Sequence, residues 1–242
     1  MRTIKESIDF IPNNENIFFH CRIAPLKKLD TYKGITLLLL NLLKKKKLKS
    51  LIVPTYTYSF TKKKIFNRSS STSEVGRFSE EVRKICKTQQ RSIDPIFSYI
   101  DVFSSGVVNN NIYNSSFHKD SIFEYWNKVN GIVVNYGLDE LISTQLHYLE
   151  YKNKVPYREN KLFNGLIVNK NKKVDVKYKF FCRKDINNTF FDRKKILKDL
   201  LLKKLIKQKK FSDITVIWFK SRDVCDYLSK KIKKNKEYLL IK

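Results

Sequence analysis

Short, nearly unbroken apolar runs alternate along this chain with stretches in which apolar residues return every three or four positions, and that pattern predicts strands interleaved with helices. Residues 3–10 read as a short amphipathic helix and NIFFH, residues 16–20, as a buried strand. Residues 34–46 read as a Leu-rich helix whose lysine cluster suits the negative end of its dipole. LIVPTYTYSF, residues 51–60, reads as a strand whose proline stops regular pairing and whose tail alternates aromatics with hydroxyls. In SSSTSEVGRFSEEVRK, residues 69–84, the hydroxyl cluster before Glu74 marks a helix N-terminus, with Phe78, Val82 and Ile85 on one face. A turn at Asp94-Pro95 precedes an expected strand over 96–103, and an Asn- and Ser-rich stretch over 107–119 is expected to be a mobile loop. A helix over 121–128 leads into the strand GIVVNYG, residues 131–137, which passes through a glycine turn into the helix STQLHYLEY, residues 143–151. Strands at 161–168 and 174–182, a helix over 192–208, a strand at 214–219 and a helix over 222–233 complete the order. Neither a repeat nor a linker interrupts it. The expectation is a single α/β domain over residues 1–242, a mixed sheet flanked by helices.

Composition narrows the partners. Lys and Arg number 50 against 23 Asp and Glu, a formal net charge of +27. Such a chain attracts phosphates, nucleic acid or an anionic surface and repels polycations. Its longest apolar run, ITLLLLNLL at residues 35–43, is under half of the ~20 residues that cross a bilayer, and no signal sequence opens the chain, so the expected compartment is the cytoplasm. Cys21, Cys86, Cys182 and Cys225 are far apart with no C-x-x-C pair, so neither a disulfide framework nor a metal site is expected. A phosphate loop, a dinucleotide fingerprint and a G-x-S-x-G elbow are all missing, which disfavours kinases, dehydrogenases and α/β-hydrolases. A nucleic-acid-binding reading rests on charge alone, and no specific nucleic-acid partner is expected.

STQLHYLEY holds the most chemistry in the fewest residues. On a helix, residues three and four apart are neighbours, so Thr144, His147, Glu150 and Tyr151 occupy overlapping faces: a base, an acid and two hydroxyls. The strand it follows ends where open α/β sheets place ligands. His20, inside a buried strand, reads as a packed core histidine, and His118, in a polar loop, as a solvated one.

Four blocks in one order resemble the aminoglycoside 3-N-acetyltransferase family, including relatives that acylate amino sugars for bacterial surface polysaccharides. VPTYTYSF looks like the family's P-T-[FY]-T-[YF] segment and STSEVGRFSEEVRK like its T-P-S-x-x-G-x-[LF]-[ST]-E-x-x-R stretch. RSIDPIFSYIDVFSSG is similar to R-S-x-x-P-x-x-S, and TQLHYLEYKNKVPYR to T-x-x-H-x-x-E-x-x-x-x-x-P-x-R. Thr72 replaces the family's proline, and Phe97 stands where the drug-modifying enzymes usually carry a histidine. That loss, the short chain and the positive charge, which suits a diphosphate better than a polycationic drug, lean toward the sugar-acylating relatives. Aminoglycoside 3-N-acetylation stays the alternative, and a basic nucleic-acid-binding protein a more remote one.

The resemblance implies transfer of an acetyl or other short acyl group from coenzyme A to the amine of an amino sugar, expected to be nucleotide-linked, and it is compatible with a homo-oligomer. Deprotonating an ammonium needs a base with a pKa near working pH, as imidazole has. His147 takes that role, Glu150 orients it, and Asp139 or Glu140 stands in reserve. Thr55, Thr57, Ser73 and Thr144 are candidate donors to substrate or to the thioester oxyanion. Ser71, Thr72, Ser73 and Gly76, ahead of a helix N-terminus, are expected to meet coenzyme A phosphates, with Arg91 and Arg83 as charged partners.

Overall fold

NIFFHC is apolar toward both of its faces, so only a strand covered on both sides can accept it. In the computed structural model, which describes residues 2–241, this segment is β1 (Asn16–Cys21), at the middle of a six-stranded sheet. It pairs in parallel with β2 (Ser50–Pro54) on one side and with β5 (Ile132–Tyr136) on the other. Antiparallel strands extend the sheet: β4 (Tyr99–Asp101) beside β2, then β9 (Ile214–Lys220) and β8 (Ile206–Phe211) beyond β5, in the order β4-β2-β1-β5-β9-β8. The fold is mixed α/β, as the pattern predicts.

The period of two sends alternate side chains into two cores. Ile17 and Phe19 of β1, Leu51 and Val53 of β2 and Val134 of β5 pack under α1 (Arg2–Asp9), α2 (Tyr32–Lys45) and α4 (Arg77–Ile85). Phe18, Ile52 and Val133 face the other way, into a core shared with α5 (Ile122–Lys128), α6 (Gln145–Lys152), α7 (Arg193–Leu202) and α8 (Ser221–Lys234). A second sheet closes this side. Its long hairpin, β6 (Arg158–Asn169) and β7 (Lys172–Arg183), takes the short β3 (Ile65–Asn67) in parallel at the β6 edge. The four-residue α3 (Phe60–Lys63) leads into β3.

Three segments differ from the sequence reading, each for a local reason. The strand expected over 51–60 ends at Pro54, because Thr55 and Thr57 donate their amides to Ser98 and Ile96 carbonyls in a loop. The strand expected over 96–103 shrinks to Tyr99–Asp101, since the Asp94 carboxylate takes the Ile96 and Phe97 amides that a ladder would need. The helix expected over 192–208 stops at Leu202: Lys204 is left-handed at φ 57°, the Leu205 amide returns to the Leu200 carbonyl, and IKQKKF becomes the edge strand β8. Exposed Lys207, Lys209 and Lys210 then blunt that edge against further pairing. The 107–119 segment is irregular but tied down, with Asn114 accepting the Lys179 amide and Ser116 bonded to the Tyr178 hydroxyl. No helix among the described residues is long and apolar enough to cross a membrane.

Candidate active site

The carboxyl ends of the parallel strands β1, β2 and β5 open on a cavity of about 490 Å³, the place where open α/β sheets gather ligands. Gly137 makes the exit from β5 possible. Its φ is +68°, and a Cβ there would lie 2.3 Å from the Arg22 carbonyl oxygen, so only glycine lets this turn press against the end of β1. Asn135 fixes the following loop by accepting the Ile142 amide at 2.8 Å and donating to the Ile142 carbonyl at 2.6 Å. Gln145 anchors the start of α6 through the Phe123 carbonyl and the Ser221 hydroxyl. The helix then buries Leu146, Tyr148 and Leu149 and leaves His147 on the cavity wall.

His147 Nδ1 lies 2.8 Å from Glu150 Oε2, and Glu150 is fully buried. A third group completes the cluster. Arg158, the first residue of β6, brings Nε within 2.8 Å of the same Glu150 oxygen and Nη2 within 3.0 Å of His147 Nδ1. Two partners compete for Nδ1: the Glu150 carboxylate only accepts and calls for a proton there, which leaves the Nε2 lone pair free, whereas the Arg158 guanidinium only donates and calls for a lone pair there. Phe191 stacks on the imidazole at 5.3 Å between ring centres and 20° between planes, and the Arg158 guanidinium sits 5.9 Å from the Phe191 ring. Burial lowers the His147 pKa below its ordinary value; the Glu150 hydrogen bond raises it, and Arg158 pushes it down again. The net direction favours the neutral ring. The Tyr157 hydroxyl is buried beside the Glu150 carboxylate; burial first, and then that carboxylate, push its pKa up.

Side-chain parity along PTYTY separates what the sequence reading placed together. Pro54, Tyr56 and Tyr58 face the cavity. Thr55 and Thr57 point away: the Thr55 hydroxyl meets Ser98 Oγ at 3.2 Å, and Thr57 donates to the Pro95 carbonyl at 2.7 Å. Thr144 does line the cavity, with its hydroxyl 2.7 Å from the Tyr56 hydroxyl. Gly76, at φ +113°, lines it too, together with Val75, Arg77 and Ser79 around the start of α4. Ser71, Thr72 and Ser73 stand outside the cavity wall. Ser71 Oγ accepts the Asn67 amide, and the Ser73 amide goes to Glu80. Arg91, expected to meet a cofactor, is buried as a staple that donates to the Thr55, Arg68 and Ser71 carbonyls and to Ser98 Oγ. Arg83 is likewise occupied, by Glu80 and the Ser69 carbonyl. Asp139 accepts from the Thr215 hydroxyl away from His147, and Glu140 pairs with Arg193 at 2.7 Å.

Sequence reasoning gave no role to three residues that shape this site. Arg158 stood inside the last motif but needs the hairpin to fold back onto α6. Phe191 arrives from a distant loop. His20 was read as core, although its place at the carboxyl end of a central parallel strand is itself a site signal. Phe97 sits beneath the cavity in an aromatic box with Tyr56, Tyr58, Phe117, Phe123 and Phe180. His118 stacks on Tyr113, away from the cavity. Among the described residues no group of three or more His, Cys, Asp or Glu side chains is placed to hold a metal, and all four cysteines are free.

Comparison with known families decides the class. The family model described as aminoglycoside 3-N-acetyltransferase matches residues 36–233. The chain belongs to the aminoglycoside 3-N-acetyltransferase family. Three solved structures display the same fold. Aminoglycoside acetyltransferase AAC(3)-Xa aligns with a TM-score of 0.77 at 14% identity, over 96% of this chain and 92% of that one. A histidine-to-alanine mutant of AAC(3)-IVa in complex with a gentamicin aligns at 0.74 with 17% identity, over 98% and 90%. AAC-IIIb in a binary complex with CoASH aligns at 0.74 with 11% identity, over 96% and 95%. No curated protein matches the chain. His147, Glu150, Arg158 and Phe191 fall inside the aminoglycoside 3-N-acetyltransferase match, and His20 precedes it.

Proposed function

We propose that this protein transfers an acetyl group from acetyl-CoA to an amine, with His147 as general base. One observation carries the reading: the His147 imidazole, on the wall of the cavity at the carboxyl ends of the parallel strands, has its Nδ1 2.8 Å from the buried Glu150 carboxylate. The amine, its first proton already lost to solvent, attacks the thioester carbonyl through its lone pair while Nε2 takes one further proton from the nitrogen. The carbon–sulfur bond then breaks, and the imidazolium returns that proton to the departing coenzyme A sulfur. Amide and free thiol result. Glu150 fixes the tautomer and stabilises the imidazolium in between, which is the service a buried carboxylate gives a catalytic histidine. Every proton in these steps is carried by a side chain, the amine or the thiol.

Family membership, and a structural neighbour held with a gentamicin, support an aminoglycoside amine as acceptor better than the nucleotide-linked amino sugar expected from the sequence. A second reading has one observation in its favour. The charged side chains lining the cavity are Arg22, Arg77 and Arg193, the last paired with Glu140 behind it, and no carboxylate is itself on the wall among the described residues. That wall suits an amine bearing phosphate, or the phosphates of the acyl donor, better than a polycation. Free-thiol release from acetyl-CoA, measured against gentamicin-like aminoglycosides and nucleotide-linked amino sugars side by side, separates the two. Turnover with the drugs alone supports the first reading and turnover with the nucleotide sugars alone the second. Thiol release with no amine in either panel removes both.

A further inference from the structure

The mechanism above leaves the developing oxyanion on the thioester carbonyl without a partner. The threonine hydroxyls singled out in the sequence are spent, Thr55 on Ser98, Thr57 on Pro95 and Thr144 on Tyr56. Several polar groups on the cavity wall are unspent, among them the Tyr58 and Ser79 hydroxyls and the Arg22 and Arg77 guanidiniums, and one of them, the His20 imidazole, stands at the end of a central parallel strand. His20 ends the run of β1 side chains that face the α6 core, one pleat beyond Phe18, on which it stacks at 5.2 Å with 20° between planes. It is 7% exposed, lines the same cavity as His147, and has no hydrogen-bond partner among the described residues. Its ring nitrogens open on the cavity instead of being sealed in the core, so a ligand's polar atom can reach them. Burial lowers its pKa to about 4, so it stays a neutral ring carrying one N–H and one lone pair.

We infer that His20 is a second catalytic residue, whose imidazole donates its N–H to the thioester carbonyl oxygen of the bound acyl donor as negative charge develops there. Neutral imidazole is a known electrophile for carbonyl groups, and removing one such donor typically costs about 10²–10³-fold in kcat. The inference rests on the acetyl-transfer reading, and it divides the labour of the cavity: His147 on α6 handles the amine proton, and His20 on β1 handles the carbonyl.

The test is the infrared carbonyl band of acetyl-CoA labelled with ¹³C at the thioester carbon and bound to the full chain without an acceptor. The band should lie at lower frequency on the unaltered protein and on His147→Asn than on His20→Phe, which has no donor. His20→Asn, which keeps an N–H, should retain part of the shift. With an accepted amine, His20→Phe should lose ~10²–10³-fold in kcat while KM for acetyl-CoA changes only a few-fold. A band identical in the unaltered and His20→Phe proteins, both with acetyl-CoA bound, overturns the role of His20 and leaves that of His147 intact. Failure of the unaltered protein to bind acetyl-CoA overturns the acetyl-transfer reading and this inference with it. Should His20→Phe not fold, the His20 N–H proton resonance of the unaltered protein decides: a downfield move on adding acetyl-CoA supports the assignment, and no move overturns it.

Discussion

His147 is held by two partners with opposite effects on its basicity. Glu150 raises the pKa of the ring and Arg158 lowers it, against a larger lowering by burial. A base works when unprotonated, so the rate rises with pH through the histidine pKa, and the acid limb of kcat/KM, which reports the free enzyme, should lie below the ordinary value of about 6.5. Glu150→Gln should move that limb further down in pH and lower the plateau, since the tautomer loses its support. Arg158→Gln should move it up. It should also destabilise the fold by roughly 3–5 kcal/mol, because it strands a buried carboxylate. A pH profile of kcat/KM for both variants, with a urea titration of the second, checks the signs; limbs moving together would refute the opposed roles. The His147–Glu150 pairing was legible, because three residues on a helix is a fixed distance. The parity of PTYTY was not: nothing local says whether the tyrosines or the threonines of that loop turn toward the ligand, and tertiary packing turned the tyrosines in.

Between β5 and α6 the decisive element is a turn. Gly137 sits at φ +68° with the Arg22 carbonyl in the space a Cβ would need. Gly137→Ala should cost about 1–3 kcal/mol in urea unfolding and depress kcat more than KM, since the strain spreads to the loop that carries His147. Unchanged stability would mean that the β1–β5 junction yields easily and does not set the site. Strand and helix identities were readable where period and length agreed, as in NIFFHC, GIVVNYG and the Leu-rich α2. They failed where a side chain captured backbone groups, as Asp94 does ahead of β4, or where a left-handed residue cut a helix short, as Lys204 does after α7. Alternating Lys and Gln in IKQKKF gave no apolar signal for an edge strand that owes its place to β9.

Across the whole molecule, six strands with their parallel centre at β1 bring together residues as distant as His20, Tyr56, His147 and Phe191. The order of blocks made the family recognisable, and the model match over 36–233 establishes it. The net charge of +27 did not name a function, but it describes the cavity, whose charged lining is arginine. Acceptor choice therefore turns on a contrast within one protein: family resemblance supports a polycationic drug, and local charge supports an anionic partner. Both readings need the same base. The most direct test is thiol release from acetyl-CoA by His147→Asn beside the unaltered protein, using whichever amine the latter accepts and with acetyl-CoA binding measured in parallel. Retained binding with turnover reduced by ~10²–10⁴-fold is expected for loss of a general base; near-normal turnover would contradict it.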